Sequence, residues 1–176
     1  MTRITKPPEE RRQEIIDTAM KVFYEKGYEK TSISDIAREM HVAQGLCYRY
    51  FSSKEELFDT ALDQYAMLQV QRLCANMRQD MSLSELAANA PSFLETENDD
   101  SYAEKFYHDS GNAKFHWQLS LKVCEKLQPI VADFLRAAIA RGEIRLADPD
   151  TAASFFVYGQ LGILLDHTLP AQERVM

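Results

Sequence analysis

The chain has 176 residues and a mass of 20.2 kDa, which fits one compact domain, or a small domain joined to a larger one, and excludes a long multidomain enzyme. Hydrophobic residues make up 45% and charged residues 27%, so the chain can bury a core and is neither a disordered tail nor a collagen-like rod. The net charge of −7 argues against nucleic acid, yet residues 1–58 carry ten basic and ten acidic side chains, and the whole excess lies in 59–176.

The N-terminus is charged and has no apolar core segment, so we expect no secretory signal and a cytoplasmic protein. The most apolar stretch, 152–165, is shorter than the roughly 18 apolar residues of a membrane span, and we expect no membrane partner. Cys47, Cys74 and Cys124 are an odd number without a CxxC pair, which predicts neither a disulfide framework nor a zinc site. No metal and no cofactor are expected.

Six glycines, six prolines and the absence of period-two alternation predict an all-α chain. The first helix is predicted from Pro8 to Lys26, because Gly27 suits the left-handed residue that follows a helix C-terminus. Its apolar residues recur at helical spacing and form one stripe, which consists of Ile15, Ile16, Ala19, Met20 and Phe23.

Two short helices are predicted next. Ser32 and Asp35 have the spacing of a capping box with a shortened acid, which predicts a second helix that ends at Met40. His41 takes the turn position where glycine is usual, and histidine is among the residues enriched in the left-handed region. A third helix is predicted from residue 43 to about residue 50.

The remaining helices have weaker boundary signals. The serines and acidic residues at 52–56 predict the start of a long fourth helix that runs towards Met81. Further helices are predicted at 83–95, 101–108, 112–127, 129–141 (from Pro129 to the residue before Gly142) and 148–168. The acidic segment 95–100 is interpreted as a solvated loop, since it lacks the ligand spacing of an EF-hand.

Residues 34–50 have the pattern of two short helices joined by a tight turn, with a longer helix before them. This is a helix-turn-helix arrangement, whose second helix can enter the major groove of DNA. Cys47 and Phe51 lie one turn apart and are predicted to face the core. We therefore predict a three-helix DNA-binding domain at 1–58 and a C-terminal helical bundle at 59–176.

The residues of this segment resemble the TetR family of bacterial repressors. The resemblance extends over residues 10–58 and is carried by TSISDIA at 31–37, VAQGLCYRYF at 42–51 and SKEELF at 53–58. It implies a homodimer whose N-terminal helices bind a double-stranded DNA operator. It also implies that the C-terminal helices bind a small ligand that releases the DNA.

The resemblance assigns DNA contacts by position. Gln44 is the candidate for a base contact, because glutamine pairs bidentately with adenine at a discrimination of ~1–3 kcal/mol. Tyr48 matches the family's phosphate-contacting tyrosine, and Lys54 matches a lysine that also meets the DNA backbone. Thr31 and Ser34 are further candidates, since free amides at the start of a helix point at anions.

Other positions of the predicted DNA surface depart from the family or have alternative roles. Leu46 replaces a threonine, and it could touch a thymine methyl group or only cover the third helix. Ala43 replaces a serine cap, at a cost of roughly 1 kcal/mol to that helix. Arg49 and Arg38 could reach phosphates or solvate exposed faces, and Gly45 belongs to the same predicted surface.

The C-terminal bundle is predicted to hold an apolar ligand pocket and the dimer interface. A pocket in a helical bundle has a few polar anchors, and the predicted lining, with ordinary core packing as the alternative, is Tyr107, His116, Trp117 and Gln118. The last helix presents a broad apolar face, predicted to pair with its copy through Ala153, Phe156, Gly159, Gln160, Ile163 and Leu164. Because the sequence stops at Met176, we expect no further long helix.

The main prediction is a ligand-released repressor that binds a palindromic operator as a dimer, with recognition helices about 34–36 Å apart. One alternative keeps DNA binding but places control with a protein partner or with no ligand. Another alternative is an enzyme. No Ser/His/Asp, Cys/His or HExxH pattern links its only candidate nucleophiles and ligands, and no catalytic residue is predicted among Cys47, Cys124, His108 and His116.

Overall fold

The computed structural model describes residues 6–78, 80–89 and 113–164. All regular structure in these three segments is helical, which confirms the all-α prediction there, and consists of α1 (Pro8–Lys26), α2 (Ile33–Glu39), α3 (Gln44–Cys47), α4 (Lys54–Leu73), α5 (Leu83–Asn89), α6 (Ala113–Ala140) and α7 (Pro149–Leu164). The predicted helix at 101–108, and the parts of predicted helices beyond residues 89 and 164, lie outside the described residues. Across the described segments, no helix has both the length and the apolar character to span a membrane.

The chain divides into two compact units, and two of the boundaries, after Tyr65 in α4 and after Gln118 in α6, fall inside helices. The first unit holds the described residues up to Tyr65 together with 113–118 from the start of α6. The second unit begins at Ala66 and takes in α5, the rest of α6 and α7. The functional division at residue 58 stays a prediction.

The predicted limits of α1 are confirmed. Pro8 begins the helix, and the predicted stripe of apolar residues is buried along its length. The helix ends where the Gly27 amide donates to the carbonyl of Phe23 at 2.9 Å. Gly27 has φ 79° and ψ 154°, a backbone region that is open to glycine and closed to almost every other residue.

The capping box of α2 and its left-handed end are also confirmed. The Asp35 amide donates to the Ser32 hydroxyl at 3.2 Å, and the Ser32 amide donates to the Asp35 carboxylate at 3.0 Å. At the other end, the Val42 amide donates to the Ala37 carbonyl at 2.9 Å across His41, which has φ 55°. These bonds form a Schellman motif with histidine in the place of glycine, and they set the turn that leads to α3.

The strained backbone at His41 gives a testable prediction. We expect His41→Gly to raise the free energy of unfolding by about 0.5–1 kcal/mol, because the left-handed penalty of roughly 1–2 kcal/mol exceeds the extra chain entropy of glycine. Urea unfolding followed by circular dichroism measures the difference. His41→Ala keeps the strain and is the control, which should be no more stable than the parent chain. A glycine variant less stable than the parent would contradict the prediction.

Helix α3 is shorter than predicted. It ends at Cys47, and beyond it the amides of Arg49 and Tyr50 donate to carbonyls three residues back, at 3.2 and 3.0 Å, in tight turns. Two residues explain the short helix. Ala43 provides no side-chain cap, and Gly45 lowers the helix propensity of this segment.

The prediction that α4 extends to Met81 is wrong, because the helix ends at Leu73. Beyond it, the amides of Ala75 and Met77 donate to carbonyls three residues back, at 3.2 and 3.0 Å. Met81 is buried in the second unit, and its carbonyl accepts a hydrogen bond of 2.7 Å from the Arg141 guanidinium. This tertiary contact holds the segment in a bent course, which the helical spacing of its apolar residues did not reveal.

The predicted break at Pro129 is also wrong, because α6 is one helix through that residue. Proline at this position lacks an amide and gives up one backbone hydrogen bond. Its side chain is exposed, while the buried stripe continues on both sides of it with Cys124 and Ala132. The gain from burying this stripe exceeds the loss of one bond on the solvent side.

The second unit is held together by α6 and α7. Helix α6 ends in a Schellman motif, in which the Glu143 amide donates to the Ala138 carbonyl at 3.1 Å, and α7 begins where Asp148 accepts from the Thr151 amide at 3.1 Å. Arg136 of α6 pairs with Asp150 of α7. The apolar contact between the two helices consists of Cys124, Val157 and Leu161 with Leu121, Leu127 and Val131 beside them.

Candidate nucleic-acid interface

An aromatic cluster forms the centre of the first unit. Phe58 of α4 lies 5.0 Å from the ring of Phe23 in α1, 4.5 Å from Tyr28 and 5.8 Å from Phe115 in α6, measured between ring centroids. Phe23 and Phe115 are buried, so four segments of the chain meet at one side chain. The cluster holds α1, the residues after it and α4 together, and these segments support the two short helices α2 and α3.

Helix α3 and the turn after it divide cleanly into an inner and an outer face. Cys47 and Phe51 are buried, as predicted, and burial raises the pKa of the Cys47 thiol. The exposed side consists of Gln44, Gly45, Tyr48 and Arg49, while Leu46 is half-buried. A Cβ on Gly45 would meet no atom within 4 Å, so the surface beside Gln44 is open.

The two candidates at the start of α2 are placed differently. Thr31 is only 2% exposed, and its hydroxyl donates to the Gly27 carbonyl at 2.8 Å. This hydroxyl therefore braces the turn and is not presented to a phosphate in this structure. Ser34 is half-buried. Of the two candidates, it remains the one proposed to contact a phosphate at the start of α2.

Lys54 lies at the first position of α4, and its ammonium group faces the protein. It donates to the carbonyls of Tyr28 at 3.0 Å and Thr31 at 3.1 Å, and it lies 4.1 Å from the centre of the Tyr28 ring. The resemblance predicted a contact to the DNA backbone at this residue. These intramolecular contacts have no signal in the sequence, because Tyr28 and Thr31 are distant from Lys54 along the chain.

The basic residues around α2 differ in how they are paired. Lys26 and Arg38 both pair with Asp35, at 3.4 and 3.1 Å. Hydrogen bonds from Ser32 hold the pKa of the Asp35 carboxyl at about 2, so this carboxylate stays charged at neutral pH. Lys30 and Arg49 are exposed, and within the described part of the chain neither has an ion-pair partner, which leaves their charges available to a phosphate. Lys30 is absent from the predicted set, because one lysine in a turn carries no sequence signal.

The predicted ligand-binding residues stay predictions. Tyr107 lies outside the described residues, and His116 is placed in α6 by its backbone alone. Trp117 is exposed and Gln118 is half-buried, and both belong to the first unit. Among the side chains that the structure describes, no three His, Cys, Asp or Glu form a group that could hold a metal ion.

The predicted interface helix, α7, has more exposed apolar surface than its pattern indicated. Phe156, Gly159 and Gln160 of the predicted set are exposed, while Ala153 is buried inside its own unit. Ile163 and Leu164 are placed only as positions on the helix. Phe155 and Tyr158 are also exposed but are absent from the predicted set, because the inward face of α7 is set by the α6 residues that it contacts.

The capped α2, the left-handed turn at His41 and the exposed α3 on a buried frame together define a helix-turn-helix DNA-binding domain. Residues 15–61 match the model of the family described as "Bacterial regulatory proteins, tetR family". The helix-turn-helix segment of this chain is therefore similar to the family that this model describes.

Proteins named as transcriptional regulators match a short part of the chain. HbdR of Aromatoleum sp. (strain CIB), named an HTH-type transcriptional regulator, is 51% identical over 49 residues, which cover 28% of this chain and 21% of HbdR. YuxN of Bacillus subtilis (strain 168), named an uncharacterized regulator of the same type, is 45% identical over 56 residues, or 32% of this chain and 19% of YuxN. The matched region thus spans about a fifth of each relative. The family and both relatives are transcriptional regulators and not enzymes.

Solved structures share the fold over most of the chain. Salmonella enterica GusR superimposes with a TM-score of 0.66 at 20% identity, covering 96% of this chain and 88% of GusR. The Bacillus subtilis transcriptional regulator FadR, solved in complex with stearoyl-CoA, gives a TM-score of 0.55 at 21% identity, with coverage of 86% and 84%. This chain therefore shares its all-helical fold with these two proteins, although the overall sequence identity is low.

Proposed function

We propose that the protein is a transcriptional repressor that binds a palindromic operator as a homodimer and leaves it when a small apolar ligand binds. The observation that carries this proposal is the exposed face of α3, on which Gln44 and Gly45 lie beside Tyr48 and Arg49. The buried side of the same segment is anchored by Cys47 and Phe51. Binding to an operator implies a cytoplasmic protein.

The surface of α3 suits the major groove. Gln44 offers a donor and an acceptor that match the edge of adenine, and Gly45 leaves open space next to it. Tyr48 and Arg49 follow on the same exposed side and are proposed to contact phosphates. Leu46 is half-buried, which is compatible both with covering α3 and with a contact to a thymine methyl group.

So short a recognition helix reads only a few base pairs, and tight binding therefore needs two copies on successive turns of the duplex. The exposed aromatic residues of α7 support a homodimer. Phe155 is 82% and Phe156 is 58% exposed, although both lie in a helix whose other side is packed. Exposed aromatic patches of this kind mark protein interfaces.

The ligand is proposed to be apolar and to act through the second unit. FadR, which shares the fold, was solved with stearoyl-CoA, so a long acyl chain is a reasonable first probe. The test is the affinity of the protein for its operator in the presence and absence of stearoyl-CoA. A loss of affinity of 5- to 150-fold corresponds to a typical coupling of ~1–3 kcal/mol. No change with stearoyl-CoA or with apolar compounds would favour control by a protein partner.

Gln44→Ala is expected to relax base preference at one position of each half-site. Loss of a bidentate contact costs ~1–3 kcal/mol against the preferred base, which is about 5- to 150-fold in affinity. Fluorescence anisotropy with duplexes from the DNA upstream of the gene, and with single-base variants of them, measures this preference.

Arg49→Ala is the control for Gln44→Ala, since removal of a phosphate contact weakens all duplexes alike. If both variants lose affinity uniformly, the assignment of Gln44 to base recognition is wrong. If the parent protein binds no duplex at low salt, the proposed function itself fails.

A further inference from the structure

The charge of Lys54 is directed into the protein, and this changes the role expected for it. An ammonium group has three N–H donors, and two of them are used by the carbonyls of Tyr28 and Thr31. The Tyr28 ring covers a further side of the group at 4.1 Å. Lys54 is thus bound to the segment between α1 and α2, Gly27–Ser32, which we call the α1–α2 turn.

The α1–α2 turn is fixed by several other contacts. The Thr31 hydroxyl donates to the Gly27 carbonyl at 2.8 Å, and the Thr31 amide donates to the Tyr28 carbonyl at 3.2 Å. The Tyr28 ring packs against Phe58 of the aromatic cluster, with centroids 4.5 Å apart. The turn is therefore held by the hydrogen bonds of Lys54 and by the packing of Tyr28 on the core, while Lys30 is exposed.

Lys30 is the exposed cation of this turn. Within the described part of the chain it has no ion-pair partner, whereas Lys26 and Arg38 share the carboxylate of Asp35. The turn leads directly into α2, the first helix of the helix-turn-helix, and in this motif the first helix crosses the DNA backbone. Lys30 lies two residues before Ser32, the cap of α2, and therefore at the end of the helix-turn-helix that is expected to meet phosphates.

We infer that the α1–α2 turn is a contact to the phosphate backbone of operator DNA, in which Lys30 supplies the charge and Lys54 is a positioning residue that holds the turn. The inference rests on the proposed DNA-binding function. It separates two roles that a lysine can have at this surface. A lysine that neutralises a phosphate releases counterions, and a lysine that braces the protein does not.

The slope of log affinity against log salt concentration distinguishes these roles. We expect Lys30→Met in the full chain to reduce the magnitude of this slope by about 0.9 per half-site contact, and to weaken binding to all duplexes by about eightfold per contact at 0.1 M salt. Lys54→Met is expected to weaken operator binding with the slope unchanged. Lys54→Arg should restore most of the affinity, because a guanidinium can also donate to both carbonyls.

Arg145→Met is the matched control, since it removes one exposed positive charge from the second unit and should leave the slope unchanged. If the parent protein binds duplexes with a steep salt dependence and Lys30→Met leaves the slope as it was, the inference is overturned. A lower slope for Lys54→Met, with Lys54→Arg as tight as the parent, would make Lys54 a phosphate contact and end its positioning role. Failure of the parent protein to bind any duplex would instead remove the proposed function.

Discussion

Phe58→Ala is expected to lower the free energy of unfolding of the first unit by about 3–5 kcal/mol, the usual cost of removing a buried phenylalanine ring. Phe58 contacts three rings from three other segments, so the cavity would border α1, the α1–α2 turn and α6 at once. These neighbours cannot all collapse into the space, which places the cost towards the upper end of this range. A loss of this size approaches the whole stability of a small domain.

Trp117 is the only tryptophan of the chain and belongs to the first unit, so its fluorescence during urea unfolding measures this change where it arises. Tyr48→Ala is the matched control, because it also removes an aromatic ring but from an exposed position. Its free energy of unfolding should stay within about 0.5 kcal/mol of the parent value. Equal losses for the two variants would show that the aromatic cluster is not the centre of the unit.

The double variant F155S/F156S is expected to convert the proposed dimer into a monomer. Each ring contributes about 1.5–3 kcal/mol when it is buried, and two-fold symmetry makes every substitution count twice at the interface. The dissociation constant of the dimer should therefore rise at least 100-fold, even if the rings are only partly buried by the partner. Sedimentation equilibrium over a range of protein concentrations measures this change.

M67S/L68S is the matched control for the dimer prediction. These two side chains of α4 are 43% and 46% exposed, and their replacement removes exposed apolar surface from a helix other than α7. The control should keep the parent's association state. The α7 variant should also lose operator affinity, since a monomer engages one half-site at a time. A parent chain that is monomeric at all concentrations would contradict the prediction, because the prediction requires the parent to form a dimer.

Local chemistry in the sequence was sufficient to predict the helix-turn-helix. The capping box at Ser32, the glycine after α1 and the left-handed residue at His41 each act within a few residues, and the structure confirms all three. The exposed face of α3 follows from the burial of Cys47 and Phe51, which helical spacing also indicates. These features can be predicted from the sequence because the interactions that produce them are between residues close in sequence.

The features that the sequence did not predict depend on distant residues. Met81 lies outside α4, where its carbonyl accepts from Arg141, and α6 continues through Pro129 because its buried stripe does not stop there. Lys54 turns inward because carbonyls of the α1–α2 turn are within reach of its ammonium group. In each case a contact between separate segments outweighed a local preference, and only the folded arrangement reveals which contact forms.

The position of Phe115 limits which hybrid proteins can be made by joining this helix-turn-helix domain to another C-terminal part. The first unit takes this ring from the start of α6, far along the chain from the helix-turn-helix. A hybrid that joined residues 1–65 to a foreign C-terminal half would leave one side of Phe58 open to water unless the acceptor supplied an equivalent ring. Such a hybrid is therefore expected to fold well only when the new C-terminal half provides an aromatic ring at the position of Phe115.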